Sequence, residues 1–209
     1  MSARNVSPED ILEFWFGKYP DDAEDANRLF ETWFKPDPVY DNLIRDQFFK
    51  VVERAAAGKY DHWAQTAHGS LALIILLDQM PRNIFRGEAR AFATDQRAAA
   101  ITVEGIEHGW DLELNLIERV FFYIPFEHAE DLILQNRCVS FYQQLDALAT
   151  PGLKEFTGIC VSEGQKHQDV IRRFGRFPHR NTALGRKWSD AERAWIDLHH
   201  GWGQKKDLA

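Results

Sequence analysis

The chain has 209 residues, a net charge of -7 and an apolar fraction of 44%, with 15 Phe and 7 Trp. This composition excludes a disordered chain and supports a substantial buried core. The negative balance argues against general nucleic-acid affinity, and the longest apolar run, Leu71 to Leu77, is far too short to cross a bilayer.

The hydrophobic period is helical almost throughout. Ser7-Pro8-Glu9-Asp10 supplies an N-cap, a first-turn proline and first-turn acids for a helix carrying Ile11, Leu12, Phe14, Trp15 and Phe16, which Gly17 ends. A short second helix carries Leu29, Phe30, Trp33 and Phe34. Asp37-Pro38 opens a longer third one, through Val39, Leu43, Ile44, Phe48, Val51 and Val52 to Gly58. The fourth, Ser70 to Gln79, is apolar nearly all round and therefore central. A β-strand is the alternative there, but no partner strand follows. Thr94-Asp95 starts a fifth helix that ends near Gly109, and Asn115 or Asp111 starts a sixth that breaks at Pro125. A seventh spans Ala129 to Leu148, and an eighth runs from Pro151-Gly152 to Gly175. Ser189-Asp190-Ala191-Glu192 is a capping box for a last helix that stops at Gly201.

Eight or nine such helices with short connections predict an all-α fold, a bundle or an array of helical hairpins, in a single domain over residues 1–209. No clean repeat period emerges. Cys138 and Cys160 lack CxxC spacing and read as buried thiols in a reducing compartment. Met1 to Ser7 shows no secretory signal pattern, so a soluble cytoplasmic protein is expected.

Four clusters carry candidate chemistry. Asp78, Gln79, Arg82, Asn83 and Arg86 surround the end of the apolar fourth helix, where a carboxylate opposes the helix dipole and needs a cationic or hydrogen-bonding partner. Around Pro125, the stretch Glu127-His128-Ala129-Glu130-Asp131 gathers three acids and an imidazole, either as first-turn acids of the next helix or as a site. On the eighth helix, Gly164 and His167 interrupt an apolar stripe of Leu153, Phe156, Cys160, Ile171 and Phe174. The basic run Arg172-Arg173-Phe174-Gly175-Arg176-Phe177-Pro178-His179-Arg180-Asn181, with Arg186 beyond it, concentrates fixed cations suited to carboxylate or phosphate. The same arginines could instead pair with Asp78, Glu127, Glu130 and Asp131 in one internal ionic network.

Taken in order, Leu12-Glu13-Phe14-Trp15-Phe16-Gly17, Trp33-Phe34, the stretch Leu76 to Gly87, the stretch Tyr123 to Glu130, and Arg173 to Asn181 resemble a bacterial family catalogued as domain of unknown function 924. The resemblance spans nearly the whole chain. It implies an all-helical, tetratricopeptide-like fold and no established reaction, so no catalytic residue is carried over from it. Ala129 and Lys187-Trp188-Ser189 depart from the family's usual residues.

The leading functional reading is a pocket for a small anionic molecule, a carboxylate or phosphate metabolite. Arg82, Arg86, Arg176, Arg180 and Arg186 would hold the anion, with Asp78, Asn83, Arg172, His179 and Asn181 in the same ligand-binding set. His128 with Glu127 would be the acid/base pair, and His167 would line the wall. The alternative is a tetratricopeptide-like scaffold whose groove receives an acidic peptide. A third reading, a metal enzyme, draws on Glu127, His128, Glu163, His167 and the pair His199-His200, but the usual Glu-x-x-His and His-Glu-x-x-His spacings are absent. No cofactor, resident metal, nucleic acid or membrane partner is expected. Nucleophile elbows and phosphate-cradling glycine loops are also missing.

Overall fold

The computed structural model describes residues 6–17 and 23–199, and among these the regular structure is entirely helical, with no strand. In chain order the α-helices are α1 (Pro8–Phe16), α2 (Ala23–Phe34), α3 (Pro38–Ala56), α4 (Ala67–Ile74), α5 (Met80–Ile84), α6 (Asp95–Glu107), α7 (Leu116–Glu127), α8 (Leu132–Leu148), α9 (Lys154–Phe174) and α10 (Asp190–His199). No described helix is long and apolar enough to cross a membrane.

The caps follow from sequence. Ser7 and Asp10 form a reciprocal capping box on α1, Asn115 and Glu118 form another on α7, and Ser189 and Glu192 form a third at α10. Asn115, not Asp111, therefore starts α7. Gly175, at φ 69°, closes α9 in the left-handed conformation that a side chain disfavours. The expected stop of the last helix at Gly201 lies outside the described residues.

One expectation about proline is corrected. Pro125 does not break its helix, because it sits in the last turn of α7 and the chain continues helically to Glu127. The bounds of the fourth helix, Ser70 to Gln79, also change. That helix begins earlier than expected, at Ala67 with Thr66 as its cap, and it passes through a π turn at Ile75–Gln79 directly into α5.

Leu71 to Leu77 are all fully buried, which makes α4 and its π turn the axis of the fold. α1 and α6 pack on α4, α3 packs on α5, and α7, α8 and α9 follow one another as antiparallel neighbours. Around α7 an aromatic cluster forms, with Trp33 and Phe16 edge-on to Phe121 at 4.8 and 5.1 Å. The Trp33 indole N–H donates to the Trp15 carbonyl at 2.9 Å, tying α2 to α1. A smaller apolar group, Val170, Ile171, Phe177 and Trp195, holds α10 against the end of α9. Both cysteines are buried free thiols.

Close packing makes some glycines irreplaceable and others not. A Cβ on Gly69 would lie 2.2 Å from the Trp63 carbonyl oxygen, whereas one on Gly158, exposed in α9, meets nothing within 4 Å. Gly69→Ala should therefore lower stability by about 1–3 kcal/mol. Gly158→Ala should raise it by about 0.5–1 kcal/mol. Urea unfolding midpoints of the two variants check both signs.

Candidate functional site

The site begins with the π turn. Pro81 has no N–H, so the Leu77 carbonyl loses its ordinary helical donor, and the Thr94 hydroxyl donates to that oxygen instead. Widening the turn sets Asp78 fully inside the protein, at 0% exposure. An isolated carboxylate there would be very costly. It is held instead by three partners. Gln79 donates its side-chain N–H to Oδ2 at 2.6 Å, the His128 ring nitrogen Nδ1 lies 2.8 Å from Oδ2, and the Arg82 guanidinium stands 3.4 Å from Oδ1. Burial alone would raise the Asp78 pKa, but the Arg82 and His128 charges and these hydrogen bonds outweigh it and hold the group far below the usual carboxylate range.

Arg82 is itself fixed by Asp95, at the start of α6, through paired bonds of 2.9 and 2.8 Å. Asp95 Oδ2 also accepts from Arg180 at 3.0 Å, and Arg180 donates to the His128 carbonyl at 2.9 Å. The Arg180 guanidinium lies over the rings of Phe92 and Phe177, 4.6 and 4.5 Å from their centroids. Burial brings its pKa down to about 10, so it stays cationic at neutral pH. One carboxylate from α6 thus joins two arginines separated by nearly half the chain.

Beside this network Glu127 faces α8 and α9. The Tyr142 hydroxyl donates to Oε2 at 2.8 Å, and His167 Nδ1 lies 3.1 Å from Oε1 and 2.9 Å from the Glu163 carbonyl. Burial, with the like charges of Glu163 and Asp78, pushes the Glu127 pKa up to about 8. Burial also pushes His167 down to about 3 and lowers His128, with neighbouring cations adding to both effects. Each shift favours the neutral form, the carboxylic acid for Glu127 and the imidazole for the two histidines.

These groups open on a cavity of about 400 Å³. Its polar lining includes Gln79, Arg82, His128 and His167, and its apolar lining includes Phe30, Trp33 and Phe34 of α2 with Phe92, Val120 and Ile124. Because Nδ1 of His128 faces an acceptor-only carboxylate, that nitrogen carries the proton and Nε2 carries the lone pair. Nε2 has no protein partner among the described residues. A neutral imidazole oriented by a buried carboxylate, on a residue that lines a cavity, has the elements of a general base.

The structure gathers Arg82, Asn83, Arg86, Glu127, His128, His167, His179 and Arg180 on one cavity, with Asp78 directly behind. It does not bring the rest there. Arg172 is exposed and pairs with Asp169 along its own helix. Arg176 makes paired bonds to Glu192 at 2.7 and 2.9 Å, and Arg186 makes them to Glu130 at 2.8 and 2.9 Å. Asn181 is buried, with its carbonyl accepting from the Arg186 backbone at 2.8 Å. The anticipated pair of His128 with Glu127 is also corrected. These neighbours turn to different partners, His128 to Asp78 and Glu127 to His167 and Tyr142. Asp131 caps α8, so the acids around Pro125 are not one first turn. No group of three metal-ligating side chains occurs among the described residues. His199 Nδ1 contacts the Trp195 carbonyl, and His200 lies outside the described residues.

Sequence reasoning missed Asp95, Tyr142 and Asp41. Asp95 reads as an ordinary first-turn acid, which it also is. Asp41 accepts from Asn83 at 2.8 Å and twice from Arg86 at 2.7 and 2.8 Å. Nothing local marks it, since it lies on the helix two before its partners.

The fold places the chain among all-helical proteins, here with a cavity lined in part by residues of the π turn and of the end of α7. Within that class the chain belongs to the family described as bacterial protein of unknown function (DUF924), whose model matches residues 11–199. It is similar to a solved protein of unknown function from Agrobacterium tumefaciens, with 38% identity, a TM-score of 0.70, and coverage of 86% of this chain and 97% of that one. No curated protein matches.

Two expectations follow for stability. Asp95→Asn leaves two buried guanidiniums facing one neutral group and should cost about 3–5 kcal/mol. Arg172→Ala, which removes an exposed pair, should cost under about 1 kcal/mol. Paired urea titrations distinguish the two. Glu127 gives a pH signature of opposite sign to Asp78. With a folded pKa raised from 4.5 to about 8, its contribution is complete below 4.5 and is lost as pH rises through 8. Glu127→Gln should therefore gain stability relative to the unsubstituted protein as pH rises from about 5 to about 8. Thermal melts across the series check the sign.

Proposed function

We propose that this protein is an enzyme acting on a small molecule bound in the cavity, with His128 as general base and Asp78 as the residue that orients it. The observation that carries this reading is the 2.8 Å contact from a fully buried carboxylate to Nδ1 of a ring that lines the cavity, which leaves Nε2 without a protein partner among the described residues. A proton taken by Nε2 would leave an imidazolium beside the Asp78 carboxylate, which stabilises it. General-base catalysis of this type is worth roughly 10²–10⁴ in rate. The cavity size falls in the usual range for small-molecule sites, roughly 300–1,000 Å³.

Less supports the other readings. For an acidic-peptide groove the arginines would need to line an exposed concave face, yet Arg82, Arg86, Arg176, Arg180 and Arg186 each meet an internal carboxylate. Those same pairs weaken the idea that the arginines bind an anionic ligand. For a metal enzyme, three converging ligands would be needed.

Nitrogen-15 NMR of histidine-labelled protein tests the base without any known substrate. At neutral pH, His128 should appear as the Nδ1–H tautomer with an unprotonated Nε2. A reactivity screen of purified protein supplies the second test, with His128→Gln expected to lose about 10²-fold or more of any turnover while retaining its helical circular dichroism. Turnover that survives this substitution would exclude His128 as the base.

A further inference from the structure

We propose that the cavity takes a neutral, hydroxyl-bearing molecule with a ring-sized apolar body, in place of the carboxylate or phosphate that its arginines suggest. This inference rests on the reading of the cavity as a substrate site and names the class of substrate.

The first argument is charge. The cations on the cavity wall are Arg82, Arg86, Arg180 and Lys35. Asp95 bonds both Arg82 and Arg180, Asp78 stands against Arg82, and Asp41 holds Arg86. Three arginines thus meet three aspartates. Lys35 is paired with Glu31, and the wall carboxylate of Glu163 is paired with Lys166. An anion would give up its hydration on entry and meet no uncompensated cation.

The second argument is the direction of the hydrogen-bonding groups. Gln79 donates its amide N–H to Asp78, Asn83 donates its amide N–H to Asp41, and His128 directs Nδ1–H at Asp78. All three residues line the cavity, and all three spend their donors on carboxylates behind the wall. What they retain is lone pairs: Gln79 Oε1, Asn83 Oδ1 and His128 Nε2, none with a protein partner among the described residues. A carboxylate or phosphate would set its lone pairs against these. A hydroxyl donates to one of them, and its oxygen can accept from the Arg82 Nε–H, which also has no protein acceptor among the described residues.

The apolar part of the lining fixes the rest of the molecule. Phe30, Trp33, Phe34, Phe92 and Ile124 also line the space, which suits a flat apolar body. In the bound state the hydroxyl donates a hydrogen bond to Nε2 of His128, with Asp78 holding the other ring nitrogen.

Four probes with one body and four heads test this: benzyl alcohol, benzoate, benzyl phosphate and benzylammonium. Each is titrated into histidine-labelled protein, with the His128 signal assigned by its loss in His128→Gln. Benzyl alcohol should shift the His128 Nε2 resonance and bind at least about tenfold more tightly than either anion. If benzoate, benzyl phosphate or benzylammonium binds as tightly as the alcohol while shifting His128, the neutral-ligand inference is overturned and the substrate-site reading stands. If no probe shifts His128, both are overturned.

Discussion

The Asp95 carboxylate is the point on which the polar half of this molecule depends. It sits in the first turn of α6, where the helix dipole already favours negative charge, and it accepts from Arg82 and Arg180 at once. Arg82 reaches from there to Asp78, and Arg180 reaches to the His128 backbone carbonyl. The position and tautomer of the His128 ring are thus set from both sides by groups that share one acid. Removing that charge does not loosen a single contact; it leaves two buried cations without their common counter-ion.

Local departures from ideal helix deliver these groups to one place. The π turn at Ile75–Gln79 puts Asp78 inside, and Thr94, freed from capping α6, occupies the carbonyl that Pro81 cannot satisfy. α7 ends two residues after Pro125, so Glu127 and His128 stand at a helix terminus, where successive side chains diverge. One turns to α9 and the other to the π turn. Pi turns are rare and frequent at functional sites, and here the turn carries Asp78 into the interior.

Much of the fold was legible because its signals are local. Ser7 with Asp10, Asn115 with Glu118, Ser189 with Glu192 and Gly175 each act within four residues, and each does what its spacing implies. The site was legible only as a set of residue types. His128, Arg82 and Arg180 were visible as unusual groups, but their partners were not, because pairing across 85 positions between Asp95 and Arg180 leaves no periodic trace. The basic run misled for a related reason. Spaced along a helix end and a turn, Arg172, Arg176, Arg180 and Arg186 point in four directions, and only Arg180 reaches the cavity. The π turn was also hidden, since a proline after an apolar run reads as a stop unless a distant hydroxyl is known to repair it.

Stability alone does not account for such a network in the middle of an aromatic core. Replacing buried ion pairs by apolar residues of similar volume is commonly neutral or stabilising, and the core segments Leu71 to Leu77 and Phe121 to Phe126 are already apolar and buried. What the charged groups supply and an apolar cluster could not is a fixed imidazole: one nitrogen protonated and bound, the other open. Burial and the Arg82 charge lower the pKa of that ring, while Asp78 keeps it oriented and would receive it if it became charged. The arrangement carries a cost in desolvation, and the property it secures is chemical: a lone pair held at the wall of a cavity.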